Sequence, residues 1–136
     1  MTDNKKYPDS IKVLLAEEIR QEKNNKLSLL GIFAGDDILL NDEPGKALPA
    51  LVVYAVFRGG KGKSSVKTNI FSPNKEKEIF SRTSEVIMKE NQNMIVAFKL
   101  TPFEVPAFGK YSIEWIFDNS KKYSFEFEIK KGSLQG

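Results

Sequence analysis

The chain has 136 residues, 40% hydrophobic and 29% charged, with 21 basic against 18 acidic side chains. That size and balance predict one globular domain, and a net charge of +3 calls for neither nucleic acid nor anionic lipid as a partner. There is no cysteine and no histidine, which excludes disulfides, thiolate nucleophiles, Cys or His zinc sites and Ser-His-Asp triads.

Residues 1–10 are polar, carry no apolar core of a secretory leader and read as a tail. Residues 11–16 (IKVLLA) read as a strand. Residues 17–26 then turn polar and end in Asn24-Asn25, a turn signal. Residues 11–23 also fit one amphipathic helix.

Residues 27–33 (LSLLGIF) form the next predicted strand. Leu27, Leu29 and Phe33 are expected on the core face, Leu30 and Ile32 on the other. Gly35-Asp36-Asp37 interrupts the strand and residues 38–40 resume it. Residues 41–49, with Pro44-Gly45, are a loop.

Residues 50–57 (ALVVYAVF) are apolar throughout, which predicts burial of both faces. Leu51, Val53, Ala55 and Phe57 take one face; Val52, Tyr54 and Val56 take the other. A basic, glycine-rich turn (RGGKGKSS, 58–65) leads into a strand over 66–72, which Pro73-Asn74 stops. Residues 75–91 are ambiguous: Ile79, Thr83, Val86, Ile87 and Glu90 follow helical spacing only in part.

Residues 94–100 (MIVAFKL) alternate as a strand, and 101–108 with two prolines form a loop. Tyr111, Ile113, Trp115 and Phe117 then alternate with polar residues, as do Tyr123, Phe125, Phe127 and Ile129. This predicts a hairpin around 118–122 (DNSKK). Matching inward faces sets Phe117 opposite Tyr123, Trp115 opposite Phe125 and Glu114 opposite Glu126.

The pattern predicts an all-β domain over 11–131, an immunoglobulin-like β-sandwich of about seven to eight strands, with room for one short helix within 75–91. Residues 132–136 are a second tail.

Residues 14–38 (LLAEEIRQEKNNKLSLLGIFAGDDI) resemble the opening of a family of small uncharacterised bacterial and phage proteins. Their pattern is a hydrophobic strand, an acidic pair, an Ile-Arg-x-Glu step, a polar turn, a Leu-Leu-Gly-Ile-aromatic strand and an Asp. Phe108-Gly109-Lys110-Tyr111, leading into residues 114–117, is similar to their final hairpin. The resemblance implies an immunoglobulin-like fold in a prokaryotic or phage setting. It implies no activity.

Several residue groups invite a functional reading. Gly62-Lys63-Ser64 resembles the end of a phosphate loop, but Phe57 stands where the first glycine must be, and a strand rather than a helix follows. Arg58, Lys61, Lys63 and Lys67 form a basic finger suited to phosphates, without exposed aromatics for base stacking. Glu114 and Glu126, if opposite, would be a carboxylate pair of the kind that cleaves glycosidic bonds. Glu17, Glu18, Glu22, Asp36 and Asp37 could supply calcium oxygens from loops, without EF-hand spacing.

The remaining feature is a second apolar face made of Leu30, Ile32, Val52, Tyr54 and Val56. Each large apolar group is worth roughly 1.5–3 kcal/mol on burial, so this face should be covered. The expected cover is residues 75–91 through Val86 and Ile87; the alternative is a protein partner or a second copy of the chain. The reading reached is a non-catalytic, cytoplasmic binding module that uses no cofactor or metal, does not enter membranes and engages a protein partner or itself. Nucleic-acid binding through residues 58–67 is the alternative.

Overall fold

The computed structural model describes residues 5–23, 26–33, 37–40 and 47–131. The expected turn at Asn24-Asn25, the break at Gly35-Asp36, most of the 41–49 loop and the extreme tails fall outside them.

Among the described residues the chain is all-β. In order come β1 (Ser10–Ala16), β2 (Glu18–Gln21), β3 (Leu27–Leu30), β4 (Asp37–Leu40), β5 (Ala47–Leu48) and β6 (Leu51–Arg58). Then follow β7 (Gly62–Phe71), a 3-10 turn (Pro73–Lys75), β8 (Glu78–Met88), β9 (Met94–Leu100), β10 (Phe103–Glu104), β11 (Gly109–Phe117) and β12 (Lys121–Lys131). Residues 11–23 are therefore β1 and β2 rather than a helix. Residues 78–88 are one 11-residue strand, which corrects the short helix allowed there.

Two sheets carry the fold. One has three strands in the order β1-β6-β9; the other has five in the order β4-β12-β11-β7-β8. All these pairs are antiparallel except β4 with β12, which run parallel. Two-stranded ribbons, β2-β3 and β10-β5, complete the chain. The inner faces of both sheets contribute to one core, an arrangement that fits a β-sandwich.

Alternation explains the core. Leu51, Val53, Ala55 and Phe57 of β6 are buried, and so are Tyr111, Ile113, Trp115 and Phe117 of β11. Phe57 spans the layers: its ring meets Trp115, Phe117 and Tyr123 edge-on, with centroids 5.9, 5.3 and 5.6 Å away. Edge-to-face contact suits the aromatic quadrupole. The Trp115 indole N–H has no hydrogen-bond partner among the described residues. Such an orphan donor costs about 1–3 kcal/mol, so the core keeps this indole for its packing.

The hairpin of β11 and β12 keeps the expected parity but not the expected register. Phe117 pairs with Lys121, Trp115 with Tyr123, Ile113 with Phe125 and Glu114 with Ser124. The turn is tighter than 118–122. Asp118 and Asn119 adopt left-handed backbone (φ 52° and 56°), and the Ser120 N–H donates to the Phe117 carbonyl at 2.9 Å. Asp and Asn tolerate that conformation. Lys121 and Lys122 therefore belong to the strand, and the Lys121 ammonium lies 5.6 Å over the Tyr123 ring.

The expected cover is also corrected. Residues 78–88 do not lie across the outer face of β6; they pair edgewise with β7. Ile87 is 69% exposed. The end of the β6 outer face is met instead by β2. Lys99 donates to Glu18 at 2.7 Å there, and Val52, which pairs with Ala16 on one side and Lys99 on the other, is fully buried.

Candidate functional site

The second apolar face survives in part. Leu30 and Ile32 are exposed, and Tyr54 and Val56 are half-buried. Val52 is at 0% exposure and drops out of any contact surface. Leu27, expected inside, is 41% exposed. Its strand leaves the β1 edge: the Phe33 N–H donates to the Leu15 carbonyl at 2.9 Å, while β3 beyond it pairs only with β2. Ile95 on β9, at 46% exposure, was not singled out in the sequence. It alternates outward beside Lys99, and the signal for it was simply the strand's period of two.

The basic residues of 58–67 do not form a free finger. Arg58 ends β6 in the three-stranded sheet, whereas Lys63 and Lys67 lie on β7 in the five-stranded one. The N-terminal segment clasps the tip. Lys6 and Lys61 exchange backbone hydrogen bonds at 2.8 and 2.9 Å, and the Asp9 N–H donates to the Arg58 carbonyl at 2.7 Å. Gly59, at φ 85°, lets the tip turn against the Asp9 carboxylate. Lys61 faces Glu90 at 3.9 Å. Lys63 and Lys67 are exposed on a strand of the five-stranded sheet, opposite Ile87 and Thr83 of β8. A strand, not a helix, begins at Gly62, so the phosphate-loop context is missing.

Glu114 and Glu126 are not directly opposite, because Glu126 pairs with Ser112 and Glu114 with Ser124, although both line one concavity of the outer face. Glu114 is 8% exposed on the outer face of the five-stranded sheet. It accepts a hydrogen bond from Lys75 at 2.8 Å and has Lys122 at 3.5 Å. The Lys75 hydrogen bond holds its carboxyl below the ordinary glutamate range, with the Lys122 charge helping and burial opposing. A carboxylate held down in this way is a poor proton donor near neutral pH, the opposite of what a general acid needs. That concavity, about 980 Å³, is lined mostly by Ser, Asn, Lys and Glu side chains, Glu126 among them, together with Pro73, Phe108 and Phe125.

Of the loop carboxylates, Glu18 is taken by Lys99. Asp36 lies outside the described residues, and among those described no group of three or more Asp or Glu is placed to hold a metal ion. One carboxylate that sequence reasoning missed does organise its surroundings. Asp118 accepts hydrogen bonds from Lys5, from the Tyr7 hydroxyl (3.1 Å), the Ser64 hydroxyl (3.1 Å) and the Ser65 N–H (2.9 Å). These donors, Lys5 first, hold its carboxyl at about 2. It ties the β11-β12 turn to the start of the chain and to β7. Its role is structural.

The last feature is an open side. β8 and β9 are edge strands of their sheets and lie next to each other across the core. Among the described residues neither outer edge receives a backbone hydrogen bond. Between them runs a slot of about 190 Å³ lined by Thr68, Arg82, Ser84, Val86 and the run from Ile95 to Phe98.

Fold and surfaces together define an all-β domain with exposed apolar side chains, with outer edges of β8 and β9 that are unpaired among the described residues, and with no helix among those residues long and apolar enough to cross a membrane. Comparison with protein-family models and with curated proteins finds no match.

Proposed function

We propose that this chain is a non-catalytic interaction module of the cytoplasm, built on an immunoglobulin-like sandwich. The observation that carries the reading is the exposure of large apolar side chains: Leu30 and Ile32, two residues apart, at 39% and 52%, with Leu27 and Ile95 at 41% and 46%. Single exposed apolar residues are ordinary; grouped ones mark contact surfaces. A partner that buried them would gain roughly 1.5–3 kcal/mol for each side chain fully covered.

Three features support the immunoglobulin-like assignment. The five-stranded sheet places a strand from the first third of the chain parallel to the last strand. Its order β4-β12-β11-β7-β8 faces β1-β6-β9, the distribution expected of that fold with a split first strand. The Tyr111 hydroxyl near the start of β11 donates to the Ala107 carbonyl at 2.6 Å, as the tyrosine corner of such domains does. The cytoplasmic setting draws on the absence of cysteine. The bacterial or phage setting draws on the resemblance of residues 14–38.

The test is affinity capture from lysate of the native host with the wild type and with Leu30→Asp/Ile32→Asp. Both positions are exposed, so the variant keeps its fold. A partner retained by the wild type and lost by the variant supports the reading. Identical recoveries would remove this face from consideration.

A further inference from the structure

We propose that the slot between β8 and β9 receives an extended segment of a partner protein, which adds as a fourth strand to the edge of β9 and presents a carboxylate to Arg82. The proposal rests on the interaction-module reading and assigns it a docking mode.

The two sheets differ in width, three strands against five. The inner face of β8 carries Phe80, Arg82, Ser84, Val86 and Met88, because these pair with Ile70, Thr68, Val66, Ser64 and Gly62 of β7. The two ends of this row are covered. Phe80 stacks on Phe98 with centroids 4.7 Å apart, and Met88 is buried. The middle is not: Ser84 and Val86 are half-buried and Arg82 is exposed. The three-stranded sheet stops at β9, one strand short of covering them.

The slot has the inner face of β8 for its floor and the edge of β9 for its wall, where the consecutive residues from Ile95 to Phe98 line it. An edge strand leaves every second N–H and C=O free to pair with a new strand. Backbone pairing there would need about six residues of extended chain, at roughly 3.3 Å per residue.

Side-chain chemistry narrows the occupant. Residues of the added strand that point inward would alternate. Those over Val86 and Ser84 meet apolar and small polar surface, and so should be apolar. The one over Arg82 meets a guanidinium that makes no ion pair among the described residues. An Asp or Glu there would complete a charge-assisted pair. Outward-pointing residues would continue the surface of Ile95.

A second copy of the chain does not fit this slot. Its own β9 comes backed by its own β8, and the overhanging β8 strands would meet first. A free extended segment has no such backing.

The test is selection of random dodecapeptides displayed on phage against the whole chain, followed by synthesis of the strongest binder. The expected binder alternates apolar residues and carries one Asp or Glu. It should slow amide exchange across Met94–Leu100, and Arg82→Glu should weaken it at least tenfold. Changing the peptide's acid to Lys should restore binding to that variant. Circular dichroism of Arg82→Glu checks that the fold is intact, as expected at an exposed position. Protection at Leu27–Leu30 with affinity indifferent to Arg82→Glu would overturn the slot while leaving the interaction-module reading standing. Binders that avoid both surfaces, or a dimer in light scattering whose β9 amides are already protected, would overturn it as well.

Discussion

Asp118→Ala is expected to destabilise the domain by about 3 kcal/mol, even though the residue belongs to a surface turn. The Ser64 hydroxyl, 2% exposed, and the Ser65 N–H both lose their acceptor, at about 1 kcal/mol each. Alanine must also adopt φ 52°, which costs roughly 1 kcal/mol for a residue with a Cβ and no polar side chain to compensate. The Lys5 pair contributes about 0.5 kcal/mol at most, since its side chains are 35% and 26% exposed and water screens them. With a urea slope of about 1–3 kcal/mol per molar, the midpoint should fall by about 1–3 M.

Asp118→Asn keeps the turn conformation and an acceptor for Ser65, so its loss should be about 1–2 kcal/mol, below the loss for Ala and no more than the lowered carboxyl allows. That smaller loss should depend on pH. The folded carboxyl sits at about 2, below the 3.8 of a free aspartate. A depressed carboxylate stabilises above its unfolded value and stops doing so as pH falls through its folded one. The gap between wild type and Asp118→Asn should therefore be constant above about pH 5 and close between roughly pH 4 and 2. An Ala variant within about 0.5 kcal/mol of wild type, the scatter of neutral surface changes, would refute the reasoning. So would a gap that persists at about pH 2.

Neighbouring positions on β8 should behave oppositely. Ile87→Ala, at a 69% exposed side chain, should shift stability by less than about 0.5 kcal/mol, whereas Met88→Ala, at 4%, should cost about 2–4 kcal/mol in urea titrations. Equal losses would mean that the face assignment of β8 is inverted. Tyr111→Phe removes the hydrogen bond to Ala107 and leaves the packing, so it should cost about 1 kcal/mol by thermal or urea unfolding. An unchanged midpoint would show that the corner contributes nothing.

What could be read in the sequence was what alternation encodes. The inward faces of β6, β9, β11 and β12 follow from the period of two, and every one of Tyr111, Ile113, Trp115 and Phe117 is buried. Parity, however, is unchanged by a shift of two residues. The register of the last hairpin therefore depended on which residues of DNSKK take left-handed backbone, and the lysines disguised strand as loop. β8 resisted reading for a different reason. Its inner face mixes Phe80 and Met88 with Arg82 and Ser84 because the opposing sheet covers only its ends. Sampled across both faces, that mixture imitates helical spacing. The slot was thus recorded in the sequence as an irregularity. The cover over Val52 was missed because β2 meets it from a segment that reads as a polar turn. Asp118 carried no local signal at all, since its partners Lys5, Tyr7 and Ser64 are distant in the chain.

The clasp and the parallel pair together set an order on how this protein can be made. Ile38 of β4 has its strand partner in Ile129, and the Tyr123 hydroxyl donates to the carbonyl of Pro8, a separation of 115 residues. At a synthesis rate of about 5–20 residues per second, β4 waits roughly 5–20 s for β12 to exist. During that interval the nascent chain holds Ile38, the inner face of β6 and the N-terminal clasp without their final neighbours. Exposed strands in that condition are prone to pair wrongly. The domain therefore closes only when its last strand emerges, and chains cut short before β12 should collect as aggregate rather than persist as a smaller folded core.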